Sequence, residues 1–262
     1  MTASLQSSSR NWFDQGGGKY AQFRPEYPPA LAAFLASKSP NQHLAVDVGC
    51  GSGQLTKQLS EHFDQIIGMD PSVDQLAHAS TQKNINYICA DAQALPVADG
   101  QASLIVAAQA AHWFDLPRFY AEVRRIAKPD AAVALVSYGV LQLDDDLNNR
   151  FAQFYWHEIG SYWPAERKLV DNGYADLPFP FEEHEAPPMA ITQQWSLQQL
   201  LGYIGTWSAT KRLREANNMM VLEKFATDLA AIWGDPDQCR SIRWPIAIRL
   251  GDVATHRQSP NR

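Results

Sequence analysis

The sequence predicts an α/β fold, a doubly wound parallel sheet with helices on both faces, and two observations predict it. Short apolar runs alternate along the first half of the chain with stretches of helical periodicity, the pattern of strands buried on both faces and joined by crossover helices. The first run, Val46-Asp47-Val48, closes on Gly49-Cys50-Gly51-Ser52-Gly53 and passes at once into a helix-like stretch from Leu55 to Phe63. A strand that turns through glycines into a helix brings backbone N–H groups and a helix N-terminus against a ligand, with no Cβ in the way. A nucleotide-type ligand is expected there.

Taken in order, strands are expected at 44–48, 65–69, 86–90, 102–108 and 131–138. Between them Leu55, Leu59 and Phe63, and then Phe119, Val123 and Ile126, recur at helical spacing and mark faces that pack on the sheet. Lys128-Pro129-Asp130 ends the second of these helices, because Pro cannot continue it and biases its predecessor out of the helical region. After Tyr138 the pattern changes. Residues 143–164 read as helix, 171–188 as a Pro- and aromatic-rich loop region, and a strand is expected near Ala190. Helices at 197–205 and 218–232 follow, the latter with Leu222, Phe225, Leu229 and Ile232 as its buried stripe, and a last strand at 241–250. Residues 251–262 are polar and read as a flexible tail, and there are no internal repeats.

With 262 residues, 45% of them hydrophobic, the chain can bury a sizeable core in one domain plus an elaboration. A formal charge of −6 and a pI near 5.6 argue against a nucleic-acid partner, since a phosphate-binding protein usually presents a basic face. Residues 1–10 are Ser-rich without an apolar stretch, and no run approaches membrane-spanning length. No membrane association and a cytoplasmic location are therefore expected. Cys50, Cys89 and Cys239 lack metal-ligand spacing and read as free thiols, the first two as small apolar neighbours of the ligand loops. No metal site is expected.

Spacing narrows the ligand. The dinucleotide fingerprint needs its third glycine two residues beyond the second, whereas only Ser52 separates Gly51 from Gly53. The phosphate-cradling loop needs Lys-Ser/Thr after its last glycine, and here Gln54 and Leu55 follow. The second apolar run, Ile66-Ile67-Gly68-Met69, ends in Asp70, where a carboxylate can accept both ribose hydroxyls. The third, from Ile85 to Ala90, ends in Asp91-Ala92, a further acceptor suited to an adenine amino group. These are acceptors for an adenosine with no cation waiting for phosphate.

Together, Asp47-Val-Gly-Cys-Gly-Ser-Gly53, Gly68-Met-Asp-Pro-Ser72, Cys89-Ala-Asp-Ala92 and Lys128-Pro129 resemble the class I S-adenosylmethionine-dependent methyltransferases, in order and in spacing, over residues 44–138. The resemblance implies a Rossmann-like sheet of seven strands with one antiparallel, the last inserted between its neighbours. It places Gly49, Gly51 and Gly53 under the methionine part of the cofactor, Asp47 near its ammonium, Asp70 on the ribose, and Asp91 with Ala92 beside the adenine. Gln54, Pro71 and Gln109 complete the implied cofactor lining. The product would be S-adenosylhomocysteine.

The substrate side must come from outside this common core. Tyr20-Ala-Gln-Phe-Arg-Pro-Glu-Tyr-Pro28 resembles the N-terminal lid of small-molecule (type 11) methyltransferases related to trans-aconitate methyltransferase, whose Tyr and Arg approach the methionine end of the cofactor. Arg24 offers a planar fork for a carboxylate, the cofactor's or a substrate's, or pairs with a surface acid such as Glu26. Tyr20 and Tyr27 are lid residues or packing aromatics. Gln109-Ala-Ala-His-Trp-Phe-Asp115 directly follows the fourth strand, where ligands of doubly wound sheets lie. His112 there is placed to accept a proton, to hydrogen-bond a carboxylate, or to satisfy a loop carbonyl. Trp113 and Phe114 read as pocket wall; Trp156, Trp163, Trp195 and Trp207 read as a lid or as ordinary core.

The expected enzyme methylates a small molecule, with a carboxylate as the leading acceptor and His112, Arg24 and Tyr20 as candidate catalytic residues. A carboxylate is already ionised and needs no general base. The alternatives are a hydroxyl or amine on a larger metabolite, which needs one, and a non-catalytic cofactor-binding regulator. The division expected along the chain is a lid at 1–30, a cofactor core at 31–139, a helical and aromatic lid insertion after the fifth strand at 140–187, completion of the sheet at 188–250 and the tail, in a monomer or homodimer.

Overall fold

The computed structural model describes residues 25–253. Strands β1 (Leu44–Val48), β2 (Gln65–Asp70), β3 (Ile85–Cys89), β4 (Ala102–Ala108) and β5 (Ala127–Tyr138) form the parallel part of a sheet, paired β1 with β2, β1 with β4, β2 with β3 and β4 with β5. β1 is buried along its whole length, and so is β4 except at its last residue. Such strands must be apolar on both faces, which is why they read as runs rather than as alternations.

Helices α1 (Pro29–Lys38), α2 (Gln54–Leu59), α3 (Val73–Ala77) and α4 (Leu116–Ile126) accompany these strands. α4 buries Leu116, Phe119, Tyr120, Val123 and Ile126 in one core cluster with Leu44, Val46 and Val48 of β1. Successive strand side chains point to opposite faces, so Asp47 points the other way, where the Thr56 hydroxyl of α2 donates to it at 2.6 Å. α2 and α4 thus cover opposite faces of the sheet. α2 is shorter than expected: the Asn84 side chain donates to the carbonyls of Ser60 (2.8 Å) and Phe63 (3.0 Å), and these held carbonyls end it.

β5 corrects one boundary. Lys128-Pro129-Asp130 does stop α4, but the strand begins at Ala127, opposite Ala102, and the trio forms a bulge before Leu104 meets Ala132. Asp130 takes a left-handed φ of +61° there, and Pro129 needs no ladder partner because it has no N–H to offer.

Beyond β5 come α5 (Asp145–Gln153), α6 (Arg167–Asp171), β6 (Glu182–His184), β7 (Met189–Trp195), α7 (Leu197–Gly205), α8 (Ser208–Glu215), α9 (Met220–Trp233) and β8 (Arg240–Asp252). The strand order is β3-β2-β1-β4-β5-β8-β6, with β7 also pairing β8, an eighth strand beyond the seven expected. The last strand is inserted antiparallel between β5 and β6. The region expected as loop at 171–188 therefore holds β6. The strand also runs past 250: Gly251 pairs Glu183, and the buried Val253 donates its N–H to the Ala131 carbonyl at 2.8 Å, so 251–253 belong to the sheet and not to a tail.

By its internal contacts the described chain forms two compact units, 26–140 with 166–191 and 244–253, and 141–165 with 192–243. These segments interleave along the sequence instead of following it. The helix expected at 143–164 is α5, then one wide turn of π-helix at Phe154–Glu158, then a short 3₁₀ turn at Gly160–Tyr162. The wide turn lets the consecutive residues Phe154 and Tyr155 both point inward, the former stacked on Phe225 at 3.8 Å between centroids. In α9 the stripe of Leu222, Phe225 and Leu229 continues to Trp233, fully buried, and not to Ile232, which is 40% exposed.

Replacing Trp233 by Ala is therefore expected to cost about 3–5 kcal/mol of stability, and Ile232→Ser no more than about 0.5 kcal/mol. Urea unfolding of the two variants checks the assignment.

Candidate functional site

The order of the sheet reverses between β1 and β4, and the crevice beyond the carboxyl ends of these strands is where doubly wound folds hold their ligands. The glycine loop after β1 occupies it. Gly49, Gly51 and Gly53 all have left-handed φ, +73°, +56° and +79°, but their surroundings differ. A Cβ on Gly49 would lie 2.4 Å from the Ala110 Cβ, and one on Gly53 would lie 2.2 Å from the Tyr87 hydroxyl. Those two glycines let other parts of the protein approach the loop. A Cβ on Gly51 would meet only the end of the Gln75 side chain, at 3.8 Å, so Gly51 is the one of the three that faces open space.

The loop is tied to β2 through its backbone. Gly49 and Cys50 donate their N–H groups to the Met69 carbonyl at 2.7 and 2.9 Å, and Gly51 donates to Asp70 Oδ2 at 2.9 Å. Asp70 ends β2, one residue beyond the expected strand, and its Oδ1 accepts from the Ser72 N–H at 2.8 Å. Pro71 follows it with its carbonyl facing the Cys89 thiol at 3.5 Å. Asp91 and Ala92 follow β3, with Asp91 Oδ1 accepting from the Gln93 N–H at 2.9 Å and Ala92 buried. Arg125 of α4 secures the rest of that loop, donating to the carbonyls of Leu95 and Val97 at 2.7 Å each. Gln54 opens α2.

Asp47 is the one charged residue among the described residues that is buried, and its oxygens are unequal. Oδ2 accepts from Thr56, while Oδ1 is buried with no donor among the described residues. Burial first, and the nearby Asp70 charge after it, raise the Asp47 carboxyl to about 6 against the opposing effect of the Thr56 hydrogen bond. The same burial, with Asp47 and Asp70 close by, pushes the Cys50 thiol well up, so it stays protonated. A second acceptor unmatched among the described residues sits just beyond β4: Gln109, at φ +54°, gives its Nε2–H to the Tyr138 carbonyl at 2.9 Å and leaves Oε1 buried without a donor there.

After Gln109 the chain makes a 3₁₀ turn at Ala111–Trp113. Phe114 folds back toward Gly49 and packs on Phe119 at 4.9 Å, whereas Trp113 is 63% exposed. His112 is half-buried, and its Nδ1 lies 2.8 Å from the hydroxyl of the fully buried Tyr174. Burial chiefly, then the Arg167 guanidinium, lower the His112 ring to about 4, with Glu166 acting weakly the other way. The imidazole is neutral at physiological pH.

The sequence reading names the glycines, the three carboxylates and His112; it does not name Thr56, Tyr87, Tyr174 or Arg167, which the structure sets beside them. Tyr174 lies inside the region expected as loop, and Tyr87 inside the third expected strand. Tyr20 and Arg24 lie outside the described residues. Tyr27 is a packing aromatic, buried against Tyr138, with its carbonyl taken by Gln58 at 2.6 Å. In the other unit Trp163 and Trp207 pack on each other and on Tyr155, with centroids 5.1–5.7 Å apart, and Trp195 packs on Tyr203; Trp156 points outward. Cys89 is exposed and does not pack as an apolar neighbour. Among the described residues no group of His, Cys, Asp and Glu converges as a metal site, and no helix is long and apolar enough to cross a membrane.

Residues 46–135 match the methyltransferase domain family. A Dictyostelium discoideum protein provisionally named a methyltransferase is 33% identical over 225 residues, 83% of this chain and 84% of that one. A solved structure from Anaeromyxobacter dehalogenans, provisionally named a type II methyltransferase, is 40% identical, with a TM-score of 0.84 over 89% of this chain and 99% of its own. The malonyl-[acyl-carrier protein] O-methyltransferase of Pseudescherichia vulneris is 29% identical over 62% of each chain.

The raised Asp47 pKa makes a prediction for the ligand-free protein. The folded value, about 6, lies above the unfolded one, so the stability that this group contributes is full below the unfolded pKa and is lost as pH rises through about 6. The stability of the wild type relative to Asp47→Asn is expected to fall between about pH 4 and pH 7 and to level off above that. Thermal unfolding of both proteins across that range measures it.

Proposed function

This chain belongs to the class I S-adenosylmethionine-dependent methyltransferases, and we propose that it methylates an ionised carboxylate of a small organic molecule. The observation that carries the acceptor is the state of His112, a neutral ring at about 4 with the Arg167 guanidinium nearby. A base that weak takes little of a proton from a hydroxyl or an ammonium near neutral pH. An acceptor that arrives already ionised needs none removed, and a nearby cation favours an anion. The likeness to an O-methyltransferase acting on malonyl-[acyl-carrier protein] supports an oxygen acceptor.

The residues present fit the methyl donor. The unmatched Asp47 Oδ1 suits the methionine ammonium, the open space at Gly51 suits the methionine chain, and Asp70 suits the ribose hydroxyls. Asp91 and Ala92 suit the adenine, flanked by Gln54, Pro71 and Gln109. When bound, S-adenosylmethionine supplies an electrophilic methyl group on a sulfonium, a leaving group that needs no protonation. The acceptor oxygen forms the new C–O bond as the S–CH₃ bond breaks, the electron pair returns to sulfur, and no proton moves. The protein's own task is to align the acceptor with that bond and to exclude water. Since no step calls for a Lewis acid, turnover is expected to survive chelation.

The acceptor class is read from the product. Labelled methyl groups transferred into a metabolite extract are expected to be released as volatile methanol by alkali, as methyl esters are; a base-stable product would mean a hydroxyl or amine acceptor. At saturating donor the rate should be flat between about pH 6.5 and 8.5, and a rise through a histidine-like pKa would overturn the reading. In calorimetry with S-adenosylmethionine, Asp70→Ala and Gly51→Val should each lose roughly tenfold to a hundredfold in affinity, and undiminished binding by both would refute this placement of the donor.

A further inference from the structure

We propose that Tyr174 locks His112 in the tautomer that carries its proton on Nε2, so that His112 meets the acceptor as a hydrogen-bond donor and selects molecules that present an oxygen anion. The proposal deepens the carboxylate reading and rests on it. Tyr174 is fully buried, and a buried phenol must place its proton. Among the described residues the acceptor within hydrogen-bond distance of its oxygen is His112 Nδ1, at 2.8 Å, so the hydroxyl proton points there.

Nδ1 is then an acceptor, and a neutral imidazole that accepts at Nδ1 carries its hydrogen on Nε2. Nε2 has no hydrogen-bond partner among the described residues. It is a donor without an acceptor, beyond the carboxyl end of β4, where the substrate is expected.

The backbone around Tyr174 is held for this purpose at some expense. Tyr174 has a φ of +65° and follows Gly173 at +67°. A bulky residue in the left-handed region is strained by roughly 1–2 kcal/mol and persists only where its surroundings insist. Here the insistence comes from β8: Arg249 donates to the Tyr174 carbonyl at 3.0 Å and to the Leu177 carbonyl, while Ala247 packs against Gly173. Tyr174 is a positioning residue, and it acts through His112.

Tyr174 is bonded to the ring and Trp113 lies beside it at 4.9 Å, while the charges that act on it are those of Arg167 and Glu166. Of these, Arg167 already bonds Asp171 at 2.8 Å, so its charge is fixed in place near the ring.

Long-range ¹H–¹⁵N correlation on the full chain labelled at histidine reads the tautomer directly. At neutral pH the His112 ring is expected to show a protonated Nε2 and a bare Nδ1. Tyr174→Phe should mix the tautomers and raise KM for the acceptor about tenfold, leaving affinity for S-adenosylmethionine unchanged. Should that variant fail to fold, substitution of His112 decides the matter. Gln places an amide N–H where Nε2–H stood and should retain turnover, whereas Asn, whose amide matches Nδ1, should not. A protonated Nδ1 in the wild type, or equal activity of the Gln and Asn variants, overturns the lock. A base-stable product overturns the selection of anions whatever the tautomer proves to be, so the two failures can be told apart.

Discussion

Asp47 stands on an inner strand of a sheet covered on both faces, where every neighbour along β1 is apolar. Burying a carboxylate there is costly unless its lone pairs are met, and among the described residues only Thr56 meets them. Much of the local structure follows from supplying that one hydroxyl. Thr56 arrives at Asp47 because α2 starts immediately after the loop, and α2 can start there because Gly53 turns the chain at φ +79°. The loop in turn is fastened to β2 through Met69 and Asp70. What remains is an oxygen that lacks a donor, and a proton or a cation completes it. The elevated pKa and the proposed ammonium site are two expressions of the same deficit.

The other end of the site has the opposite character. His112 is kept neutral by burial and by a guanidinium, so the acceptor proposed for it would meet a hydrogen-bond donor in the neighbourhood of positive charge. A negative pole for the donor's amino acid end and a receptive one for an anionic acceptor suit the charges of the partners proposed for them. The arrangement relies on segments far apart in sequence: His112 follows β4, while Arg167 and Tyr174 come from the return of the chain after α5.

Legibility in the sequence tracked how local each determinant is. The strands of the parallel sheet were readable nearly to the residue, because a strand buried on both faces must be a continuous apolar run. The glycines and strand-end carboxylates were readable for the same reason, each being dictated by the turn it occupies. What escaped depended on distant partners. Gly49 and Gly53 look alike in the sequence, yet one accommodates Ala110 and the other Tyr87, and only Gly51 faces open space. Tyr174 could not be found because its φ and its contact with His112 are set by Arg249 and Ala247, more than seventy residues later. The bulge in β5 escaped because Pro129, a stop signal for α4, is also tolerated inside a strand that bulges around it.

The ring of Tyr87 lies where side chains on both Gly53 and Gly68 would have to go, with contacts from a built Cβ of 2.2 and 2.8 Å. These three positions share a single volume, and whichever of them fills it denies it to the others. Alanine at Gly68 would clash with the Tyr87 ring, and beside a smaller residue on β3 it would still press on the Thr56 methyl at 3.1 Å, so the effect of a substitution here depends on its neighbours. Descendants of this chain can therefore exchange bulk between positions 68 and 87 only in concert, whereas Gly53, at φ +79°, stays glycine whatever stands at 87.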